Sequence, residues 1–444
     1  MQHILILGVG RSSLSLIKYL LDQSEENDWQ LTVADQMLNS GLAMWQGHPR
    51  LMLSRLDVMD QFRLSELVTG ADVVISMLPP KLHIIVAREC LLRERDLVTA
   101  SYISEEMRLL TDEVERKGLL FLNEIGLDPG IDHMSAMSVI NRLRDSGKQL
   151  TAFETFTGGL LAPNDAIENP WDYKFTWNPK NVVEAGKGVV KFIQQGKYKY
   201  IPYQKLYRRT EPIFISGYGH FEGYANRDSL KYLDVYGLRG IKTLYRGTLR
   251  RPGFCRTWDI FVQLGATDDS YEMEGVKNMT HREFINSFLS YNPSDSVELK
   301  LAHYLNLELD GPEIHRLKWS GFFEEDLIGL EKGTPAQILE HILKKKWSME
   351  ANDIDMIVMW HKFNYLESDQ EKEIHSTLVA KGDDELFTAM SKTVGYPVGI
   401  ATKLILQGKI SVKGVKIPIF EEIYKPVLAE LKGLGFELEE HEKS

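Results

Sequence analysis

Cysteine is scarce in this sequence, with only Cys90 and Cys255 in 444 residues. Two thiols cannot build a disulfide framework, nor can they supply a thiolate-rich metal site. No group of His, Cys and carboxylate residues has the spacing of metal ligands either, so we expect no metal. The low cysteine content is typical of a reducing compartment, and we expect the protein to be cytoplasmic.

Long apolar runs and an excess of positive charge are also absent. No run reaches the length that crosses a bilayer, and no basic stretch with a long apolar core precedes the first strand, so we expect no membrane segment and no signal peptide. The formal net charge of −11 argues against a nucleic-acid partner, which normally needs a basic face. We found no internal repeat, and a chain of this length is expected to form two or three domains.

The first part of the chain alternates short apolar strands with helical patterns. Strand-like runs occur at 4–7, 31–35, 51–56, 71–78, 96–102 and 119–122. This alternation predicts an α/β fold with a doubly wound parallel sheet. From about 151 to 275 the sequence is aromatic and rich in Gly and Pro, which predicts a second domain on a mixed or antiparallel sheet. Residues 280–350 are predicted to be helical, and a helix over 384–407 is predicted to be interrupted at 395–397.

A glycine loop follows the first strand and precedes a helix. Gly8 and Gly10 take the first two positions of a dinucleotide-binding fingerprint, and Ser13 stands where a third glycine is usual. Small residues are needed there because the backbone must approach a pyrophosphate, while the helix N-terminus supplies N–H groups. We therefore expect cofactor contacts from Gly8, Gly10, Arg11, Ser12 and Ser13. The alternative is a glycine-rich turn in a domain that binds no dinucleotide.

The second strand ends at Asp35, which bears on the choice of cofactor. A carboxylate at this place accepts hydrogen bonds from a ribose 2′-hydroxyl and repels a 2′-phosphate. The next residues, Gln36 and Met37, add no cation to offset that repulsion. The sequence therefore predicts that NAD(H) is preferred, with NADP(H) possible.

The ends of the third and fourth strands supply the remaining cofactor candidates. Asp57 is expected near the adenine amino group and Val58 beside it, although Asp57 is equally well explained as a capping acid. Ser76, Leu78 and Pro79 lie where such domains pass a loop beside the cofactor. The alternative for this segment is a strand that simply stops at proline.

The most informative segment is the run 123–133, Asn-Glu-Ile-Gly-Leu-Asp-Pro-Gly-Ile-Asp-His. It places Glu124, Asp128, Asp132 and His133 directly after an apolar strand-like run. A turn that only reversed the chain would not need so many ionisable groups. Because ligands gather at the carboxyl ends of parallel strands, this run predicts a polar substrate pocket.

The same run resembles the hallmark segment of the glutamate-forming saccharopine dehydrogenases, also called saccharopine reductases. Segments at 101–104, 158–163, 169–177, 224–229, 246–254 and 393–401 agree in the same order, so the resemblance spans nearly the whole chain. It implies a Rossmann domain formed by residues 1–130 plus 384–444. It further implies a substrate-binding and dimerisation α/β domain of 131–275 plus 351–383, a small helical insertion of 276–350, and a homodimer.

The resemblance also implies the reaction: hydride transfer between NAD(P) and the carbon of a secondary amine in lysine metabolism. Saccharopine would become an imine, which water splits into glutamate and 2-aminoadipate 6-semialdehyde. Such chemistry requires a fixed hydride geometry, proton transfer and anchors for several carboxylates. Two alternatives remain at this point, a carboxynorspermidine-type C–N dehydrogenase and a catalytically silent dinucleotide-binding sensor.

Two residues are the catalytic candidates. Asp128 is predicted to handle a proton or to orient the amine, and the alternative is that it caps the following helix. Tyr102 is predicted to donate a hydrogen bond in the pocket, and the alternative is a core aromatic.

The substrate contacts are predicted to come from several segments. Arg227, next to Asn226, has the fork geometry that binds a carboxylate, while a salt bridge with Asp228 is the alternative. Lys174 is a weaker carboxylate candidate, since such a lysine is more often a surface charge. The family often carries Cys where this chain has Thr157, and a hydroxyl does not ionise near neutral pH, so a mechanism that needs a thiol is not expected. The full set of predicted substrate contacts is Arg227, Asn226, Ser101, Pro129, Gly130, Thr157 and Lys174.

Overall fold

The computed structural model describes residues 1–38, 40–163 and 168–443. It divides into two compact units, one made of 1–150 with 364–444 and the other of 151–363. The domain boundaries inferred from the sequence, including a separate helical insertion at 276–350, are finer than this division and stay a prediction. No helix in the described ranges is both long enough and apolar enough to cross a membrane.

The first unit begins with strands and helices in alternation. In chain order they are β1 (Gln2–Leu7), α1 (Leu14–Asp22), β2 (Trp29–Asp35), β3 (Leu51–Arg55), α2 (Gln61–Thr69), β4 (Val73–Ser76), α3 (His83–Arg93), β5 (Asp96–Val98), α4 (Glu105–Arg108), α5 (Thr111–Arg116), β6 (Leu120–Leu122) and α6 (Ile131–Asp145).

The second unit follows with β7 (Gln149–Leu161), α7 (Pro179–Val183), β8 (Val189–Gln194), β9 (Lys197–Pro202), β10 (Thr210–Ile215), β11 (Gly219–Ala225), α8 (Tyr232–Val235), β12 (Thr243–Arg250), α9 (Phe254–Leu264), α10 (His281–Asn286), α11 (Val297–Leu305), α12 (Pro312–Trp319), α13 (Pro335–Trp347) and β13 (Asp355–Glu367). The chain then returns to the first unit with β14 (Gln370–Lys381), α14 (Ala389–Leu406), β15 (Gly414–Lys416), α15 (Glu421–Gly433) and β16 (Glu439–Lys443).

The sheet of the first unit has seven strands in the order β15-β6-β5-β4-β1-β2-β3. Every neighbouring pair is parallel. The predicted doubly wound parallel sheet is therefore confirmed. The strand order reverses between β1 and β4, and in such sheets ligands bind at the carboxyl ends of the strands beside that reversal.

The helix α14 packs closely against α1 in the first unit. A Cβ added at Gly395 would lie 2.7 Å from the backbone N of Leu16, and one added at Gly399 would lie 2.5 Å from Cδ1 of Tyr19. The sequence predicted an interruption at 395–397, but the helix runs unbroken from Ala389 to Leu406 with Pro397 inside it. Local helix-breaking rules miss this because the close packing against α1 holds the proline-containing turn in place.

The sheet of the second unit is mixed, as predicted. Strands β10, β11, β12, β7 and β13 are neighbours in that order. The β11–β12 pair is antiparallel, whereas β12 and β7 run parallel. The predicted helical region contains α10 to α13, and capping boxes at Thr280 and Thr334 begin α10 and α13.

An aromatic cluster fills the core of the second unit beside this sheet. Trp347 lies 5.0 Å from the rings of both Trp171 and Tyr173. Phe254 and Trp258, on the first turns of α9, stack at 5.8 Å. Rings in edge-to-face and stacked arrangements bury a large apolar area. The cluster also surrounds the residues at the end of β12.

Candidate functional site

The loop after β1 is held in a conformation that only glycine accepts at its first position. Gly8 has a φ of +99°, and an added Cβ would lie 2.9 Å from the carbonyl carbon of Met77, in the loop after β4. The hydroxyl of Ser13 donates a hydrogen bond of 3.2 Å to the carbonyl of Gly8. That bond closes the loop from within and explains how serine serves at the position where the fingerprint usually has a third glycine.

Packing within the protein does not require a glycine at position 10. It is exposed, and no described atom lies within 4 Å of where its Cβ would be. A glycine here leaves the backbone open to a group that approaches from outside, as a pyrophosphate does in dinucleotide-binding loops. Arg11 is exposed and Ser12 half-buried just before α1, where a pyrophosphate would meet the helix N-terminus.

Asp35 is engaged with the backbone at the end of β2. Its Oδ2 accepts the N–H of Val9 at 2.7 Å, and its Oδ1 accepts the N–H of Met37 at 3.0 Å. The carboxylate thus ties the glycine loop to the neighbouring strand. This bonding gives Asp35 a structural role that needs no ribose.

The residues after β3 and β4 have mixed environments. Asp57 is exposed and its Oδ1 accepts the N–H of Met59 at 2.9 Å, while the N-cap of α2 is Asp60. Val58 is buried in the hydrophobic core. Leu78 is half-buried against that core and Pro79 is exposed. The loop after β4 is therefore partly accessible to solvent at the place where the strand order reverses.

A buried histidine connects the ends of β4 and β5. The Oγ of Ser76 lies 2.8 Å from Nδ1 of His83, and Nε2 of His83 lies 2.7 Å from Oγ of Ser101. Burial lowers the pKa of His83 to about 4. The ring is therefore neutral at physiological pH, with one nitrogen donating and the other accepting. Ser76 was predicted to face the cofactor, but it is fully buried and its hydroxyl contacts His83.

Asp128 is the most accessible residue of the acidic run. Every other residue from 123 to 133 is buried, whereas Asp128 is half-buried. The hydroxyl of Tyr102 donates a hydrogen bond of 3.1 Å to its Oδ1, so the two catalytic candidates are in contact. The N-cap of α6 is Gly130, and the carboxylate that accepts the N–H of Gly130, at 2.6 Å, is that of Asp132. The tight turn of residues 126–130, called the elbow below, includes a cis peptide bond between Asp128 and Pro129.

Two buried side chains support the elbow from below. The Oε1 of Glu124 accepts the N–H of Ile103 at 3.1 Å, and its Oε2 lies 2.9 Å from Nε2 of His133. Glu124 therefore connects the elbow to the segment that carries Tyr102. From the sequence, Glu124 was identified only as one acid of the run, and its two contacts were not predicted. His83 was not predicted to have a role, because a single histidine shortly after two prolines is not a recognisable motif.

The remaining substrate candidates lie in the second unit. The Nζ of Lys174 is buried and lies 2.6 Å from Oδ2 of Asp353, so its charge is already paired, and it is not the surface charge of the alternative interpretation. Arg227 is exposed with a φ of +52°. The alternative interpretation paired Arg227 with Asp228. In the structure Oδ2 of Asp228 lies 3.5 Å from Nζ of Lys191. Thr157 is buried, and its Oγ1 has no hydrogen-bond partner among the described residues.

Comparison with protein families gives two matches that together span nearly the whole chain. Residues 4–122 match the saccharopine dehydrogenase NADP binding domain, and residues 126–436 match the saccharopine dehydrogenase C-terminal domain.

Individual relatives agree with these matches. The chain is 33% identical over 438 residues to saccharopine dehydrogenase [NADP(+), L-glutamate-forming] of Saccharomyces cerevisiae, covering 97% of each chain. It is 32% identical over 444 residues to the mitochondrial alpha-aminoadipic semialdehyde synthase of Rattus norvegicus, covering 98% of this chain but 47% of that protein. The chain thus spans about half the length of the synthases that it matches. The apo saccharopine dehydrogenase (L-Glu forming) structure from Saccharomyces cerevisiae superposes with a TM-score of 0.89 at 31% identity, over 100% of both chains.

The predicted preference for NAD(H) is wrong on these findings. The matching domain is an NADP binding domain, and the fungal relatives are named as NADP(+) enzymes. The prediction rested on Asp35 meeting a ribose. In the structure both of its carboxylate oxygens accept backbone N–H groups, so this acid has a role in shaping the loop that is independent of the cofactor.

The two loop glycines should respond differently to an added methyl group. We expect Gly10→Ala to leave the melting temperature unchanged, because its Cβ meets open space, and to weaken dinucleotide binding about tenfold or more by blocking the pyrophosphate. Gly8→Ala is the matched control, and it should lower the melting temperature because of its positive φ and the backbone of Met77. Fluorescence titration with NADPH measures the affinity. Unchanged affinity in Gly10→Ala would contradict the assignment of this loop.

The neutral His83 should make stability depend on pH. Its pKa is lowered from 6.5 to about 4 on folding, so the stability it contributes is complete above pH 6.5 and is lost as the pH falls towards 4. The full loss corresponds to about 3 kcal/mol. We expect His83→Gln, which does not titrate, to be less stable than the wild type at pH 7.5, and the difference to narrow at pH 5. Urea unfolding at both pH values tests this, and a constant difference would contradict it.

Proposed function

Because this chain belongs to the saccharopine dehydrogenase family, we propose that it is a saccharopine dehydrogenase of the L-glutamate-forming type, an oxidoreductase acting on a CH–NH group. NADP(H) is the cofactor that the relatives' names favour. The observation that carries the proposal is the Tyr102–Asp128 hydrogen bond, which presents a half-buried acid after strand β6 of the parallel sheet. The fungal L-glutamate-forming enzymes align with the chain over nearly their whole length, which supports the same substrate.

The first unit supplies the parts for holding a dinucleotide. Gly8 and Ser13 shape the loop, Gly10 leaves room for the pyrophosphate, and the N-terminus of α1 adds its N–H groups. A bound nicotinamide dinucleotide would provide the hydride acceptor. The protein's task is then to fix the geometry and to move protons.

Proton transfer is the role that we assign to Asp128. In the oxidative direction the substrate carbon gives up a hydride and the amine nitrogen gives up a proton, which leaves an imine. Water adds to the imine carbon, and the carbinolamine collapses to an aldehyde and the free amine of glutamate. A carboxylate within reach of the nitrogen can accept the proton and return it during collapse. The hydroxyl of Tyr102 holds that carboxylate in one orientation and stabilises its charged form.

The assembly state and location follow the proposal as further predictions. The aromatic second domain and the family resemblance favour a homodimer, and the low cysteine content favours the cytoplasm. A sizing measurement on the purified chain tests the first of these.

The direct test of the function is turnover. We expect the absorbance of reduced nicotinamide to rise when the protein is mixed with NADP(+) and saccharopine, and glutamate to appear in equal amount. NAD(+) and a carboxynorspermidine substrate are run alongside. Dinucleotide binding without turnover of saccharopine would refute the proposal and favour a silent sensor.

Asp128→Asn should separate chemistry from cofactor binding. We expect kcat to fall about 10²- to 10⁴-fold, because an amide cannot accept the proton. The affinity for NADPH should not change, since the glycine loop is untouched. Asp112→Asn, at an exposed position of α5 in the same unit, is the matched control and should keep full activity. Steady-state kinetics measure the effect, and near-wild-type turnover by Asp128→Asn would remove this residue from the mechanism.

A further inference from the structure

The segment 101–103, which carries Tyr102, is anchored to the protein on both sides of the tyrosine. The carbonyl of Ser101 accepts the N–H of Glu124 at 3.1 Å. The N–H of Ile103 donates to Oε1 of the same Glu124, also at 3.1 Å. The point from which the Tyr102 side chain starts is therefore fixed by the residues before and after it.

The hydroxyl of Ser101 provides a third anchor, and its partner comes from a separate element. Nε2 of His83, the first residue of α3, lies 2.7 Å from Oγ of Ser101. The N–H of Ser101 donates to Oγ1 of Thr99 at 3.2 Å. Ser101 is thus held by its carbonyl, its N–H and its hydroxyl, and the contact to the hydroxyl is the one made by α3.

His83 also reaches the strand that borders the glycine loop. Its Nδ1 lies 2.8 Å from Oγ of Ser76, the last residue of β4. The next residue, Met77, donates its N–H to the carbonyl of Leu7 at 2.8 Å, and its own carbonyl lies 2.9 Å from where a Cβ of Gly8 would be. The imidazole therefore connects the end of β4, beside the glycine loop, with the segment that follows β5.

A purely structural role would not need a histidine at this position. The ring is 5% exposed, and an apolar side chain could fill the same space without burying two polar nitrogens. A neutral imidazole differs because it is rigid and offers one donor and one acceptor at fixed positions. It can therefore hold two hydroxyl groups at a set separation, which an apolar side chain cannot do.

We propose that His83 is a positioning residue for the reaction, which through Ser101 holds Tyr102 where the tyrosine hydroxyl bonds Asp128. This role rests on the proposed function, in which Asp128 transfers the proton. The buried ring exchanges no proton with the substrate. It keeps the Tyr102–Asp128 contact of 3.1 Å in one geometry, and a small misplacement of such a group costs up to about 100-fold in rate.

Two substitutions at position 83 separate the two hydrogen bonds of the ring. The side-chain amide of asparagine reaches the place of the histidine Nδ1, and that of glutamine reaches the place of Nε2. His83→Asn therefore keeps a polar group towards Ser76 and loses the one towards Ser101, whereas His83→Gln does the opposite. We expect kcat with saccharopine and NADP(+) at pH 7.5 to fall about 10- to 100-fold in His83→Asn and to stay within about threefold of the wild type in His83→Gln. The affinity for NADPH should not change in either variant.

Backbone hydrogen exchange of the full-length protein measures the same anchoring without turnover. We expect the amides of Glu124 and Ile103 to exchange faster in His83→Asn than in the wild type, because release of the Ser101 hydroxyl loosens segment 101–103. His83→Gln should exchange like the wild type. Unchanged exchange at both amides in His83→Asn would overturn the proposal.

A double-mutant cycle tests whether His83 acts through Tyr102. Tyr102→Phe removes the hydroxyl that His83 is proposed to position, so His83→Asn should cost less than about threefold in kcat in that background. The acid limb of the kcat–pH profile should also move to higher pH in His83→Asn, because the carboxylate of Asp128 loses a hydrogen bond that favours its charged form. Equal losses of kcat in the two backgrounds would overturn the proposal.

His281→Gln is the matched control, because His281 is also a buried histidine with contacts at both ring nitrogens. In the second unit its Nδ1 lies 2.9 Å from the carbonyl of Gly321, and its Nε2 lies 2.9 Å from Nζ of Lys345. We expect this variant to lower the melting temperature but to keep kcat. A loss of kcat as large as that of His83→Asn would mean that activity merely follows stability, and it would overturn the proposal.

Ser101→Ala removes the same hydrogen bond from the other side and serves if His83→Asn does not fold. It should show the same loss of kcat and the same faster exchange at Ile103, and wild-type values for both would overturn the proposal. If the wild type does not oxidise saccharopine but exchange responds to His83→Asn, the proposed function fails while the anchoring of Tyr102 stands. If saccharopine turns over at the wild-type rate in His83→Asn, the positioning role fails while the function stands.

Discussion

The close backbone approach between Gly126 and Gly130 is the constraint on which the candidate site depends. A Cβ at Gly130 would lie 2.1 Å from the carbonyl oxygen of Gly126, so no other residue fits. The N–H of Ile131 bonds the same carbonyl at 2.8 Å. The chain therefore turns within the elbow so sharply that its flanks are buried and Asp128 alone is half-exposed. A looser turn would let the acid rotate or sink into the core, and its contact with Tyr102 would be lost.

Buried polar groups hold this elbow against the neighbouring strands. Glu124 bonds the backbone of Ile103 on one side and His133 on the other, while His83 joins Ser76 and Ser101 at the ends of β4 and β5. The bonds from Glu124 to Ile103 and through His83 connect segments that follow neighbouring strands of the sheet, whereas the bond to His133 connects Glu124 to α6. Networks of this kind are stable only when every member is satisfied, and a neutral His83 with one donor and one acceptor nitrogen meets that condition.

Much of the fold and part of the site could be predicted from the sequence. The alternation of strands and helices gave the parallel sheet, and the acidic run gave the position of Asp128, because both are local patterns. What failed depended on tertiary contacts. Pro397 does not break its helix because α1 supports it, and the preference for NAD(H) was read from Asp35 without the two backbone N–H groups that its carboxylate accepts.

The first unit is assembled from two distant parts of the chain, 1–150 and 364–444, whereas the second is one continuous stretch. During synthesis, residues 1–150 emerge first, but β15 and α14 arrive only after the entire second unit. Until then the outer edge of β6 has no strand beside it, and the surface of α1 that later receives Gly395 and Gly399 faces water. A nascent chain therefore carries an open strand edge and an uncovered face of α1 while residues 151–363 are being synthesised, and both features favour aggregation and chaperone binding. The second unit can complete its fold in that interval, so the dinucleotide-binding half, although it begins first, is finished last.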